Sequence, residues 1–120
     1  MKIINRNNIE PFITKDKSEI REIMSPAIGS VERQSLAEAI LYPGQSTIEH
    51  IHKISEEIYY ILEGEGVMWQ DGEEHEIGPG DAIANLPGVP HRITNTGDTP
   101  LLFLCICTPH YTHEDTVLLE

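Results

Sequence analysis

Positive charge is scarce in this chain. Its 120 residues include 8 Lys and Arg against 20 Asp and Glu, which gives a formal net charge of −12 with histidine neutral. Nucleic acids and anionic membrane surfaces attract basic footprints, so we expect the chain to bind neither. No apolar run approaches the roughly 18 residues of a membrane-spanning helix, and residues 1–8 are too polar for a secretion signal. These absences predict a cytoplasmic protein.

Cysteine is also rare. Cys105 and Cys107 are the only two, and both fall in the apolar run 101–107. Two positions apart on a strand, their Cα atoms would lie roughly 6.6 Å apart with parallel side chains, which is poor geometry for a disulfide. We therefore predict two buried free thiols in a reducing compartment.

The residues that are present suit one small globular domain. A length of 120 residues, with 39% hydrophobic and 23% charged residues, fits a single domain with its own core. We divide it into an N-terminal arm (1–30), a main body (31–109) and a C-terminal tail (110–120). In the arm, Ile20, Ile23 and Met24 have the i, i+3, i+4 spacing of a helix face, and Pro26 ends the pattern. A short helix is predicted there.

The main body alternates short apolar runs with turn residues. Clusters of Gly, Pro, Asn and Asp recur about every 8–12 residues with no helical stretch between them, which indicates an all-β sandwich or barrel. Asp71-Gly72 is the clearest hairpin turn and joins predicted strands at 67–70 and 74–77. Tyr60 and Leu62 alternate with Tyr59 and Ile61, so their strand is predicted to be covered on both faces, by a sheet or a second subunit.

Histidine and glutamate fall in a restrictive order within this β region. His50 and His52 lie two positions apart on a predicted strand over 47–53, so both imidazoles project from the same face. Glu57 precedes the next apolar run and could turn its carboxylate toward the same point. His91 could close the set from a later segment. Three imidazoles and one carboxylate suit a first-row divalent metal.

The spacing of these residues resembles the cupin superfamily. The family's first motif is Gly, five residues, His-x-His, three or four residues, Glu, six residues, Gly. It is matched throughout by Gly44, His50, His52, Glu57 and Gly64. The second motif is matched at Gly80, Gly88, His91 and Asn95, but Leu86 stands where the family has proline. Glu56 also fits the shorter gap of the first motif, whereas only Glu57 keeps six residues before Gly64.

The resemblance implies a double-stranded β-helix, or jelly-roll, barrel that holds one divalent metal per subunit. The implied ligands are His50, His52, Glu57 and His91, and these ligand types do not distinguish iron, manganese, nickel, zinc and copper. A divalent ion with three neutral imidazoles and one carboxylate carries a net charge of about +1. The site is therefore expected to suit a carboxylate, enolate or enediolate oxygen pair. Cupins are commonly homodimers, and the arm is the natural element to pair with a neighbouring sheet.

A general base is not identified by the sequence, and Tyr59, Glu56 and His110 are the candidates. Tyr59 has the same strand parity as Glu57 and is interpreted either as a pocket residue or as core. His110 belongs to a polar tail that is either exposed or folded over the barrel mouth, where His110 or Tyr111 could contact substrate.

Two further polar residues are predicted to lie outside the site. Arg92 has the opposite strand parity to His91 and should face away from the metal. His75 lies in the acidic segment 71–76 and should be a solvated surface residue.

The resemblance leaves several functions open. Similar single-domain cupins include sugar and sugar-phosphate isomerases, lyases acting on small acids, cyclases and dioxygenases. We expect an isomerase or lyase acting on a sugar-like or a hydroxy- or keto-acid substrate, because no feature marks a dedicated oxygenase. The alternatives are a non-catalytic module that binds a small ligand as a sensor or store, a metal-dependent dioxygenase, and a barrel whose metal only staples the strands.

Overall fold

Two antiparallel β-sheets form the molecule, as a computed structural model of all 120 residues describes it. The first sheet has the strand order β1-β2-β3-β10-β5-β8 and the second β11-β4-β9-β6-β7. In chain order the strands are β1 (Phe12–Ile13), β2 (Glu19–Met24), β3 (Ser35–Leu41), β4 (His50–His52), β5 (Glu56–Glu63), β6 (Gly66–Gln70), β7 (Glu73–Ile77), β8 (Ala82–Asn85), β9 (His91–Asn95), β10 (Leu101–Thr108) and β11 (Thr116–Leu118). The predicted all-β jelly roll is confirmed. The structure contains no helix long and apolar enough to cross a membrane.

The core lies between the two sheets and follows from strand alternation. On β5, Glu57, Tyr59 and Ile61 are buried, while the residues between them are exposed. β10 pairs with β3 on one side and β5 on the other, and the residues of its apolar run are alternately buried and half-buried, so both of its faces are at least partly covered. The buried apolar cluster comprises Ala39, Leu41, Tyr59, Ile61, Met68, Ile77, Ile93, Leu101, Phe103 and Cys105.

The turns between strands use the residues that the sequence analysis singled out. β6 and β7 pair up to Gln70 and Glu73, and the two residues between them have positive φ, 48° at Asp71 and 90° at Gly72. This geometry matches the right-handed twist of the flanking strands and confirms the predicted hairpin. At Gly64, φ is also positive and an added Cβ would lie 2.5 Å from the carbonyl oxygen of Pro100, so a side chain cannot be accommodated.

The predicted helix in the N-terminal arm is wrong. The segment forms strand β2, which pairs with β3 in a register that places Ile20 opposite Ala39, and the one helical element is a single 3₁₀ turn at Arg6–Asn8. The helix-like spacing of apolar residues is overridden because the edge of β3 supplies backbone hydrogen-bond partners that an isolated helix cannot match. The side chains that alternate along the arm, Thr14, Asp16, Ser18, Ile20 and Glu22, line the interior of the barrel.

The outer face of the first sheet carries apolar side chains. Ile58, Tyr60 and Leu62 on β5 are 41%, 40% and 37% exposed, and Leu104 and Ile106 on the neighbouring β10 are half-buried. The sequence pattern predicted that Tyr60 and Leu62 would be covered, and within one chain they are not.

Candidate metal centre

Three histidines from the second sheet converge inside the barrel. His50 lies directly opposite His91 in the pairing of β4 with β9, and His52 projects from the same face of β4 two positions on. All three are buried, with 1%, 3% and 0% of their surface exposed. One ring nitrogen from each lies within 4.8 Å of the corresponding nitrogens of the other two, a spacing that allows one metal ion to be bound.

The hydrogen bonds at the Nδ1 atoms assign the same tautomer to His50, His52 and His91. The Nδ1 atoms of His50 and His91 lie 2.6 Å and 3.1 Å from the carbonyl oxygens of Ile48 and Val89. A carbonyl only accepts, so each Nδ1 carries the proton. The Thr116 hydroxyl donates its one hydrogen to the carbonyl oxygen of Thr112. It must therefore accept from His52 Nδ1, which lies 3.2 Å away.

These assignments leave each Nε2 with a free lone pair that faces the centre of the cluster. The Nε2 atoms of His52 and His91 are fully buried and have no hydrogen bond of acceptable geometry. A buried polar atom without a partner is costly and calls for an explanation. A divalent cation at the centre would supply the missing partner, and Nδ1 bonds of this kind orient metal-binding histidines in other proteins. The donor set therefore fits a metal.

Glu57 approaches the cluster from the opposite sheet. It is 4% exposed, and its Oε1 lies 3.2 Å from His52 Nε2 and 3.5 Å from His91 Nε2. Burial favours the neutral carboxyl, but the protonated forms of His52 and His91, which can donate from Nε2 when no metal is bound, outweigh it and hold the pKa of Glu57 well below its usual range. The same contact raises the pKa of His52 despite its burial, whereas burial and the charge of His91 lower the pKa of His50. Glu57 is thus an anion placed to serve as the fourth ligand.

A second carboxylate, which the sequence analysis missed, faces the cluster from the N-terminal arm. Asp16 Oδ2 lies 3.7 Å from His50 Nε2. The other oxygen, Oδ1, accepts hydrogen bonds from the backbone and hydroxyl of Ser18. The amide of Ile48 donates to the Asp16 carbonyl at 2.8 Å, which fixes the arm beside β4. Asp16 lies in the turn between β1 and β2, and its contact with His50 depends on how the arm packs against β4, which the sequence pattern does not record.

His52 and Glu57 face a pocket that lies between the first sheet and the arm. It is lined by Phe12, Thr14, Asp16, Ser18, Ile20, Glu22, Ser35, Ala37, His52, Glu57, Tyr59, Phe103, Cys105, Cys107 and Tyr111, and it has a free volume of about 40 Å³. At roughly 10–15 Å³ for one water, this is room for a few water molecules or a very small ligand. The arm and the tail meet over it, because the Thr14 hydroxyl lies 3.1 Å from that of Tyr111.

The three candidate bases lie in different places. Tyr59 is buried in the core against Phe103, with ring centroids 4.8 Å apart, and burial raises the pKa of its hydroxyl well above the usual value. Glu56 is exposed on the outer face of β5, away from the histidines. His110 is half-buried in the tail but does not line the pocket, where Tyr111 lies instead. Glu56 is therefore poorly placed to move a proton at the cluster, whereas Tyr59 lines the pocket with its ring centroid 5.8 Å from that of His91.

The predicted positions of Arg92, His75 and the two cysteines agree with the structure. Arg92 faces away from the cluster, with its Nη1 2.9 Å from Glu49 and its guanidinium over the ring of Trp69. The side chain of His75 is 77% exposed. Both cysteines are free and buried, as predicted. Cys107 is also part of the site, because its thiol donates to Glu57 Oε2 at 3.3 Å.

Comparison with known proteins identifies the class that this fold and site define. The model of the Cupin domain family matches residues 37–107, which is more than half of the chain and includes all three histidines and Glu57. The chain belongs to the cupin family.

Individual relatives agree with this assignment. An uncharacterized protein of Methanocaldococcus jannaschii is 52% identical over 122 positions, which cover 100% of this chain and 98% of that protein. An oxalate-binding protein of Thermotoga maritima is 37% identical over 92 residues, covering 77% of this chain and 76% of its own length. The crystal structure of a predicted oxalate decarboxylase, also from Thermotoga maritima, has a TM-score of 0.79 and 31% identity, covering 89% of this chain and 98% of that one.

Proposed function

We propose that this chain is a metal-dependent cupin that acts on a small, oxygen-rich molecule in an isomerase or lyase reaction. The observation that carries the proposal is the convergence of three buried imidazoles, each with one ring nitrogen within 4.8 Å of the other two, and with the Nε2 atoms of His52 and His91 unpartnered. One divalent transition metal per subunit would be held there by His50, His52 and His91, with Glu57 as the fourth ligand. Bound in this way, the ion would act as a Lewis acid on a substrate carbonyl or hydroxyl oxygen.

The rest of the pocket orients the ligand and limits its size. The Tyr111 and Thr14 hydroxyls face each other at the mouth and can hydrogen-bond to an oxygen of the ligand. Phe103 and Tyr59 form an apolar wall that excludes water. With a free volume of about 40 Å³, the closed arrangement admits a molecule of only a few non-hydrogen atoms.

The second candidate is a non-catalytic module that binds a small ligand through the same metal. It is favoured by the relative named as an oxalate-binding protein, at 37% identity, and by the position of Glu56 on the outer face of β5, away from the cluster. The two candidates require different things of the site, because catalysis needs an acid or base beside the ligand whereas binding needs only shape and polarity.

A substrate panel separates the two candidates. The metal-loaded protein is incubated with small sugars, hydroxy acids, keto acids and diketones, and both turnover and retained ligand are measured. Turnover that disappears in His50→Ala but persists in His75→Ala supports catalysis at the cluster. Tight retention of one compound without turnover supports the binding module. Turnover that survives in His50→Ala would contradict both.

We also propose that two copies of the chain pair through the outer face of the first sheet. The support is the apolar stripe of Ile58, Tyr60 and Leu62, each more than one-third exposed, since exposed apolar patches of this kind commonly mark protein interfaces. The two free buried thiols support a reducing compartment such as the cytoplasm.

A further inference from the structure

Two carboxylates on the N-terminal arm change the charge of the candidate metal site. Asp16 and Glu22 both line the pocket that His52 and Glu57 also line. No Lys or Arg is among the lining residues. A divalent ion with three neutral imidazoles and Glu57 carries about +1. The two arm carboxylates bring the pocket to about −1, which reverses the electropositive site expected from the sequence.

Asp16 is held where this charge matters. Its Oδ2 is 3.7 Å from His50 Nε2, and its side chain is 14% exposed. Two hydrogen bonds from Ser18 and the backbone bond from Ile48 prevent the carboxylate from turning out to solvent. The unpartnered Nε2 atoms of His52 and His91 indicate that a cation would sit in the cluster, with Glu57 on one side and Asp16 on the other. A molecule bound there lies within about 6 Å of the Asp16 charge, where a pair of like charges still interacts strongly.

We propose that Asp16 and Glu22 determine the specificity of this site, favouring uncharged, hydroxyl-bearing ligands over dicarboxylates. This inference rests on the proposed function, because it takes the histidine cluster to be a metal site. A neutral hydroxyl can donate a hydrogen bond to the free oxygen of Asp16, whereas a carboxylate can only repel it. The arm that closes the pocket thus also selects its occupant.

The test compares two anions that differ by one charge, with Co²⁺ as the bound metal. Oxalate and glycolate are both fully ionised at pH 7.5, carry two and one negative charges, and can each bind a metal through two oxygens. Their dissociation constants are measured from the visible spectrum of the Co²⁺-loaded protein, and the Co²⁺ affinity of each variant is measured separately. Asp16→Asn keeps the oxygen that Ser18 requires, and Glu22→Gln is a second variant that leaves Asp16 intact.

The expected result is a tightening that grows with the charge of the ligand. In Asp16→Asn, glycolate should bind about 10-fold more tightly and oxalate about 100-fold, the size expected for one charge pair about 6 Å apart in a partly hydrated interior. Glu22→Gln should shift both affinities in the same direction. Glu19→Gln is the matched control, because Glu19 lies on the opposite face of β2 and accepts a hydrogen bond from Tyr42. It should change either affinity by less than about 2-fold.

The outcomes distinguish this inference from the proposed function. Oxalate affinity that is unchanged or weaker in Asp16→Asn would overturn the inference alone. Co²⁺ affinity that falls about 10-fold or more in the same variant would also overturn it, because Asp16 would then be a metal ligand rather than a selector. Failure of the wild-type protein to bind Co²⁺ at the cluster would overturn both proposals.

Discussion

Thr116 offers the sharpest test of how the histidines are prepared for a metal. It lies on β11 and is 2% exposed, and its hydroxyl accepts the His52 Nδ1 proton while donating to the carbonyl of Thr112. Thr116→Val keeps the shape of the side chain but removes the acceptor. His52 is then free to adopt the other tautomer, or to rotate, and its Nε2 is no longer fixed toward the cluster.

The size of the expected loss in metal affinity follows from the hydrogen bond that is removed. Loss of such a supporting bond typically weakens metal binding by about 10- to 100-fold, or roughly 1.4–2.7 kcal/mol. The substitution also leaves the buried His52 Nδ1–H without a partner, which lowers the free energy of unfolding by about 1–3 kcal/mol. Metal affinity is measured by competition with a chelator of known affinity, and stability by urea unfolding of the metal-free protein.

Thr47→Val is the matched control. Thr47 is 3% exposed and its hydroxyl accepts from the backbone amide of Ile93 at 3.0 Å, so the substitution removes a comparable buried bond without touching a histidine. It should lower the free energy of unfolding by a similar amount and leave metal affinity within about 2-fold of the wild-type value. Equal metal affinities in wild type and Thr116→Val, or equal losses of affinity in the two variants, would refute the reasoning.

Three further predictions concern other parts of the molecule. His50→Ala should abolish stoichiometric metal binding in equilibrium dialysis while His75→Ala, on the surface, leaves it unchanged; retained binding in the first variant would contradict the site. Because the pKa of Glu57 is held below its ordinary value of 4.5, its ionisation stabilises the fold above that pH, and this contribution is lost as the pH falls. Urea unfolding of the metal-free protein should therefore show a steeper loss of stability below about pH 4.5 in wild type than in Glu57→Gln, and parallel curves would contradict the assignment. Ile58→Glu should convert a dimer to a monomer in light scattering, whereas Ile54→Glu, outside the sheet, should not; a monomeric wild-type protein would contradict the proposed pairing.

The sequence was most informative where the chemistry depends on local spacing. His50 and His52 share a face because strand side chains alternate, and Asp71-Gly72 forms its hairpin because the turn needs two residues with positive φ. Neither conclusion needs information from elsewhere in the chain. The family motif extended this to His91, which lies far along the chain from His50 but directly opposite it in the sheet.

The sequence was least informative where a segment depends on its partner. The arm forms a strand because β3 offers a free edge, and nothing within residues 16–24 records that edge. The position of Asp16 follows from a backbone bond to Ile48, and the role of Thr116 from β11 pairing with β4. These contacts join distant parts of the chain. The sequence therefore predicted the histidines but not the positions of Asp16 and Thr116.

The central claim is that His50, His52 and His91 hold one cation through their Nε2 atoms. X-ray absorption spectroscopy of the protein loaded with one equivalent of Co²⁺ tests it most directly. The account predicts the outer-shell scattering of three imidazoles together with at least one carboxylate or water oxygen. A spectrum with oxygen ligands and fewer than two imidazoles would contradict it.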